Sequence, residues 1–137
     1  MKKVCFFLVT LVILGGFFIT TAEAGQLCWN VDTINNDILD GYVSLMVSGG
    51  KWTRAVHGAY YGQGITLPVS GNMIKSPDGN NWFLQVGTVF TGSHVDIGAT
   101  LNTSTLSGSA LLISVGESNT SYDMTFTSIS CKDMPKP

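Results

Sequence analysis

From Gly41 onward the chain never settles into a helical period. Short runs rich in β-branched and aromatic residues are cut, every ~8–12 residues, by clusters of glycine, serine, asparagine and aspartate, the signature of an all-β meander. Ser48-Gly49-Gly50-Lys51 and Ser76-Pro77-Asp78-Gly79-Asn80 are strong hairpin signals. Glycine takes the positive φ that tight turns demand, and proline presets φ at a turn's start. Tyr61-Gly62-Gln63-Gly64, Thr91-Gly92-Ser93, Asn102-Thr103-Ser104 and Glu117-Ser118-Asn119-Thr120 complete the series. These breaks predict strands at about Gln26–Val31, Gly41–Ser48, Thr53–Tyr61, Thr66–Lys75, Trp82–Phe90, His94–Leu101, Ser107–Val115 and Ser121–Cys131. Val31 to Leu39, with an Asn35-Asn36-Asp37 centre, reads as a loop holding at most one helical turn.

Alternate strand residues face opposite sides, so each run divides into an inner and an outer set. Val43, Leu45 and Val47 oppose Ser44 and Ser48, and Val95, Ile97, Ala99 and Leu101 oppose His94, Asp96 and Thr100. Trp82, Leu84, Val86 and Phe90 face away from Gln85 and Gly87, while Tyr122, Met124 and Phe126 oppose Asp123, Thr125 and Thr127. In the seventh run the larger residues Leu111, Ile113 and Val115 are expected inside, although Ser109 shares their parity.

Lys2 and Lys3, the apolar run Val4 to Ile19 and the site Ala22-Glu23-Ala24 read as a secretory signal peptide over residues 1–24. Cleavage there leaves residues 25–137 as one domain of 113 residues, in a secreted or periplasmic location. That portion carries five Lys and Arg against eight Asp and Glu, a formal charge of −3 with no basic cluster, which argues against a nucleic-acid partner. No later segment is long and apolar enough for a membrane helix. The apolar-in, polar-out pattern is also the reverse of an outer-membrane barrel.

Two cysteines remain, Cys28 and Cys131. No C-x-x-C pair suggests redox chemistry, and His57 and His94 are too scattered to complete a zinc site. A lipid anchor needs its cysteine at the cut, whereas Cys28 follows Gln26-Leu27. Cys28 has the parity of Asn30 and Cys131 that of Asp123 and Thr125, so both lie on the outer face of the first and last strands. A Cys28–Cys131 disulfide would then join chain start to chain end and accompany closure of the sheet.

Eight hairpin-linked strands with inside-out patterning and joined ends resemble the antiparallel up-and-down β-barrels of the calycin group, the lipocalins and avidins. Leu27-Cys28-Trp29 has the tryptophan of the lipocalin G-x-W element without its glycine. The resemblance implies an interior suited to one small ligand and nothing about which one, and the sequence assigns no cofactor.

The aromatic residues Trp29, Tyr60, Trp82, Phe90, Tyr122 and Phe126 are the candidate ligand-binding set. They either fill a small barrel or line a cavity for a largely apolar ligand. His94-Val95-Asp96 places an imidazole and a carboxylate on one face, but that face is the exterior and no nucleophile accompanies them. Gly62-x-Gly64 precedes no strand-to-helix transition and is no phosphate loop. Asn102 and Asn119 begin N-x-[ST] triplets in loops, relevant only where the source glycosylates exported proteins. The sequence thus assigns no catalytic residue and no metal ligands. It points to an exported binding protein with a small apolar ligand inside or a protein partner at its loops. The alternatives are a structural or adhesive protein with a filled core, and a secreted hydrolase in which His57, His94 and a carboxylate converge.

Overall fold

The computed structural model describes residues 25–34, 39–117 and 119–135. The signal-peptide expectation falls on residues 1–24 and the centre of the Val31–Leu39 loop on residues 35–38, both outside the described residues. Eight strands follow in order: β1 (Gly25–Thr33), β2 (Gly41–Gly49), β3 (Thr53–Gly62), β4 (Ile65–Lys75), β5 (Asn81–Phe90), β6 (Ser93–Asn102), β7 (Gly108–Val115) and β8 (Thr120–Ile129). Each pairs antiparallel with the next, and β1 pairs with β8 from Cys28↔Ile129 to Thr33↔Met124, so the sheet is a closed barrel without an edge.

The turns explain why the hairpins form where they do. Between β3 and β4 both Gln63 (φ 52) and Gly64 (φ 74) are left-handed, as are Thr91 (φ 45) and Gly92 (φ 78) between β5 and β6. Two consecutive positive φ angles make a two-residue hairpin loop whose twist matches its flanking strands. The β4–β5 turn is organised by Asp78, which accepts from Ser76 Oγ (2.5 Å), Asn80 N (3.0 Å) and Asn80 Nδ2 (2.9 Å). These bonds hold its carboxyl below the ordinary carboxylate range, the Ser76 bond being the largest cause. Asn102 plays a similar part between β6 and β7, its Oδ1 accepting from Ser104 N (2.9 Å) and Thr105 N (3.2 Å).

Inner and outer faces alternate as expected in β1, β2, β6 and β8, and β7 is the correction. Ala110 and Leu112 point inward, whereas Leu111, Ile113 and Val115 are 41%, 43% and 57% exposed. Registers on both sides impose this. Ala110 stands opposite Ala99 and Met124, and Leu112 opposite Ile97 and Tyr122, all inward-facing residues, so β7 must follow the same parity. Volume agrees, because the interior of an eight-stranded barrel is narrow and the small Gly108 sits directly opposite Phe126.

Cys28 and Cys131 form the disulfide, with Cα atoms 5.2 Å apart. Cys28 has the expected outward parity yet is only 2% exposed. The bond draws the chain after β8 back across the outside of the barrel, and Pro135 reaches the surface depression beside Tyr42 and Tyr61. Disulfides of this kind are typical of extracellular proteins.

Candidate functional site

Antiparallel order puts alternate connections at opposite ends, and the two ends of this barrel differ. At one end lie the β2–β3, β4–β5 and β6–β7 connections, and this end is plugged. Leu106, itself in a left-handed conformation (φ 53), accepts the Trp29 indole N–H through its carbonyl oxygen at 2.6 Å. Trp29 packs on Phe126 with ring centroids 6.0 Å apart. The Arg54 guanidinium and the Lys75 ammonium lie 4.7 and 5.6 Å from the Trp82 ring centre, a cationic cap over an aromatic core.

At the opposite end, among the β1–β2, β3–β4, β5–β6 and β7–β8 connections, a cavity of about 150 Å³ opens. Its depth is formed by aliphatic residues, Val69, Ile97, Leu112 and Met124, and its rim by Tyr60, Phe90 and Tyr122. Tyr60 spans the rim because Gly62 has no side chain where the Tyr60 hydroxyl lies. That hydroxyl donates to Leu39 O at 2.8 Å, tethering the connection between β1 and β2. Burial, reinforced by the nearby Asp40 carboxylate, raises the Tyr60 pKa, so the phenol is neutral. Asp40 is itself held by accepting Thr33 N at 2.7 Å.

Leu39, Ile65, Leu67 and Val95 extend the apolar lining, and Thr88, Ser114 and Thr120 add hydroxyls. Thr88 stands opposite Val95, Val95 opposite Ser114, and Ser114 opposite Thr120, so four neighbouring strands carry one transverse row that faces the cavity. Among the described residues, no protein group hydrogen-bonds to the side chains of Thr88, Ser114 or Thr120. Among the described residues, no charged side chain lines the cavity.

The six aromatic candidates are thereby divided. Tyr60, Phe90 and Tyr122 meet around the cavity, whereas Trp29, Trp82 and Phe126 belong to the packed end and are absent from the lining. The filled and hollow alternatives each describe one half of the barrel. Reasoning from the sequence missed the hydroxyl row and the aliphatic wall. Parity alone could not assemble them, since Leu112 and Ser114 lie on β7, whose inward face the sequence assigns to Leu111, Ile113 and Val115, and since alternation gives no height along the barrel.

The histidines remain outside. His94 Nε2 lies 3.1 Å from Asp96 Oδ2 on the exposed face of β6, beside the gap left by Gly87. His57 is opposite Ser70 on β3, and Ser70, Gly87 and Asp96 continue that row, which puts His57 three strand spacings, roughly 14 Å, from Asp96. No group of three or more metal-ligating side chains occurs among the described residues. No protein-family model, characterised protein or solved structure gives a match to this chain.

Proposed function

We propose that the protein is an exported carrier or receptor module that binds one small, largely apolar molecule in the open half of its barrel. The observation that carries this reading is the apolar cavity of about 150 Å³ with unpartnered hydroxyls at its mouth. Few binding pockets need more than a concave apolar wall and a small number of placed polar groups. The up-and-down architecture, shared with calycin-like barrels, supports the reading by analogy. The disulfide and the N-terminal export pattern support a secreted or periplasmic site of action. Native mass spectrometry of protein purified from its own source tests the reading. A stoichiometric co-purifying small molecule is the expected result, and an unliganded mass with no saturable uptake of small apolar compounds would count against it.

A second reading, association with another protein, is favoured by a different observation. Ile74, Phe83, Leu111 and Ile113 form an exposed apolar patch on the outside of β4, β5 and β7, around a depression at Gly98. Contiguous apolar surface of this kind marks interaction sites in many soluble proteins. Sedimentation of wild type against Phe83→Ser tests whether that face associates with a further copy of the chain.

A further inference from the structure

Resting on the carrier reading, the lining of the cavity defines the chemistry of its occupant. We infer that the occupant is a compact neutral molecule, with an apolar body of a single ring or short chain and one hydroxyl or carbonyl group directed at the Thr88–Ser114–Thr120 row. Three features of the site lead there.

Size comes first. An apolar cavity of ~150 Å³ in a protein core accommodates benzene. A cavity of about 150 Å³ that is open at one end therefore admits roughly six to ten non-hydrogen atoms. A long acyl chain or a fused-ring lipid exceeds this, because the Trp29, Phe126 and Trp82 plug blocks further penetration toward the other end.

Charge comes second. Among the described residues no ionisable cation faces the cavity, and Arg54 and Lys75 are engaged over Trp82 at the far end. A carboxylate drawn into this space would lose hydration without a partner. Asp40 beside Tyr60, and Glu117 against the Gly92 turn, place negative charge around the same mouth and add repulsion. An ammonium group would be attracted to those acids but would find none of them in the lining, so its desolvation would also go uncompensated.

Polarity comes third. The row Thr88, Ser114, Thr120 brackets Val95 at one level of the barrel, and its hydroxyls are free both to donate and to accept. The facing wall of Leu39, Ile65 and Leu67 is apolar. A molecule with a polar group on one side only satisfies both walls at once.

Calorimetric titration of the disulfide-bonded protein with toluene, benzyl alcohol, benzoate, benzylamine and hexadecanoate tests the inference, with wild type compared against Thr88→Val/Ser114→Ala. Matched thermal melting of the two proteins controls for folding. Benzyl alcohol is expected to bind best, about three- to tenfold better than toluene, the range for one or two neutral hydrogen bonds, and at least about tenfold better than benzoate, benzylamine or hexadecanoate. The double substitution should bring benzyl alcohol down to the affinity of toluene while leaving toluene unchanged. Equal wild-type affinities for toluene and benzyl alcohol, or tighter binding of benzoate, benzylamine or hexadecanoate, would overturn the inferred class and leave the carrier reading standing. Absence of saturable binding by all five compounds would remove the carrier reading, and this inference with it.

Discussion

Trp29 and Leu106, 77 residues apart in the chain, are joined by a 2.6 Å hydrogen bond from the indole N–H to the backbone carbonyl. The bond fastens the β6–β7 connection over one end of the barrel and gives the fully buried indole the partner it needs. Trp29→Phe keeps an aromatic ring but leaves the Leu106 carbonyl unpaired. We expect a loss of about 1–3 kcal/mol in urea unfolding, with ligand affinity unchanged because Trp29 lies outside the cavity.

Leu111 and Leu112 are neighbours of identical composition on opposite faces of β7, which makes them a direct test of the strand's parity. Leu112→Ala should lower stability by about 2–5 kcal/mol, and Leu111→Ala by no more than about 0.5 kcal/mol. Reversal of that order in chemical denaturation would contradict the registers that β7 makes with β6 and β8.

The same enlarging substitution distinguishes the packed half from the open one. Leu101 is fully buried and outside the cavity, so Leu101→Phe should cost about 1–3 kcal/mol through overpacking. Leu112→Phe projects into empty space and should cost less than about 1 kcal/mol while weakening ligand uptake. Equal penalties at the two sites would mean that the barrel is filled throughout.

Removing the Cys28–Cys131 bond by the pair Cys28→Ser/Cys131→Ser should destabilise the barrel by about 2–5 kcal/mol. The bond closes a long loop whose ends are 103 positions apart in sequence, and secures the contact that completes the sheet. Thiol titration of the denatured, unreduced chain should detect no thiol from either cysteine.

Tyr60 gives a stability dependence on alkaline pH. Its pKa is raised in the folded state by burial and by Asp40, so the folded protein holds the phenolic proton more tightly than the unfolded chain does. The associated stability is complete below the unfolded value of about 10 and is lost as pH rises through the folded value. Wild type should therefore lose melting temperature above about pH 10 more steeply than Tyr60→Phe, and parallel curves would exclude this contribution.

Strand number, hairpin order, the disulfide and most of the inward-facing residues were legible in the sequence because they follow from local chemistry. Positive-φ turn residues at Gln63-Gly64 and Thr91-Gly92 mark where the chain reverses, and period-two alternation marks which side of each strand is apolar. Two things needed the tertiary structure. The parity of β7 was hidden because Leu111, Ile113 and Val115 outweigh Ala110 and Leu112 in apolar bulk. Its facing is set instead by ladders to β6 and β8 and by the space that Phe126 leaves opposite Gly108. The level of each ring along the barrel axis was also hidden, since alternation reports a side and not a height. Closure with a particular register puts Trp29, Trp82 and Phe126 at the plugged end and Tyr60, Phe90 and Tyr122 at the open one. Side-chain volume summed over one level of a closed ring, which no single strand contains, decides where such a barrel is solid and where it is hollow.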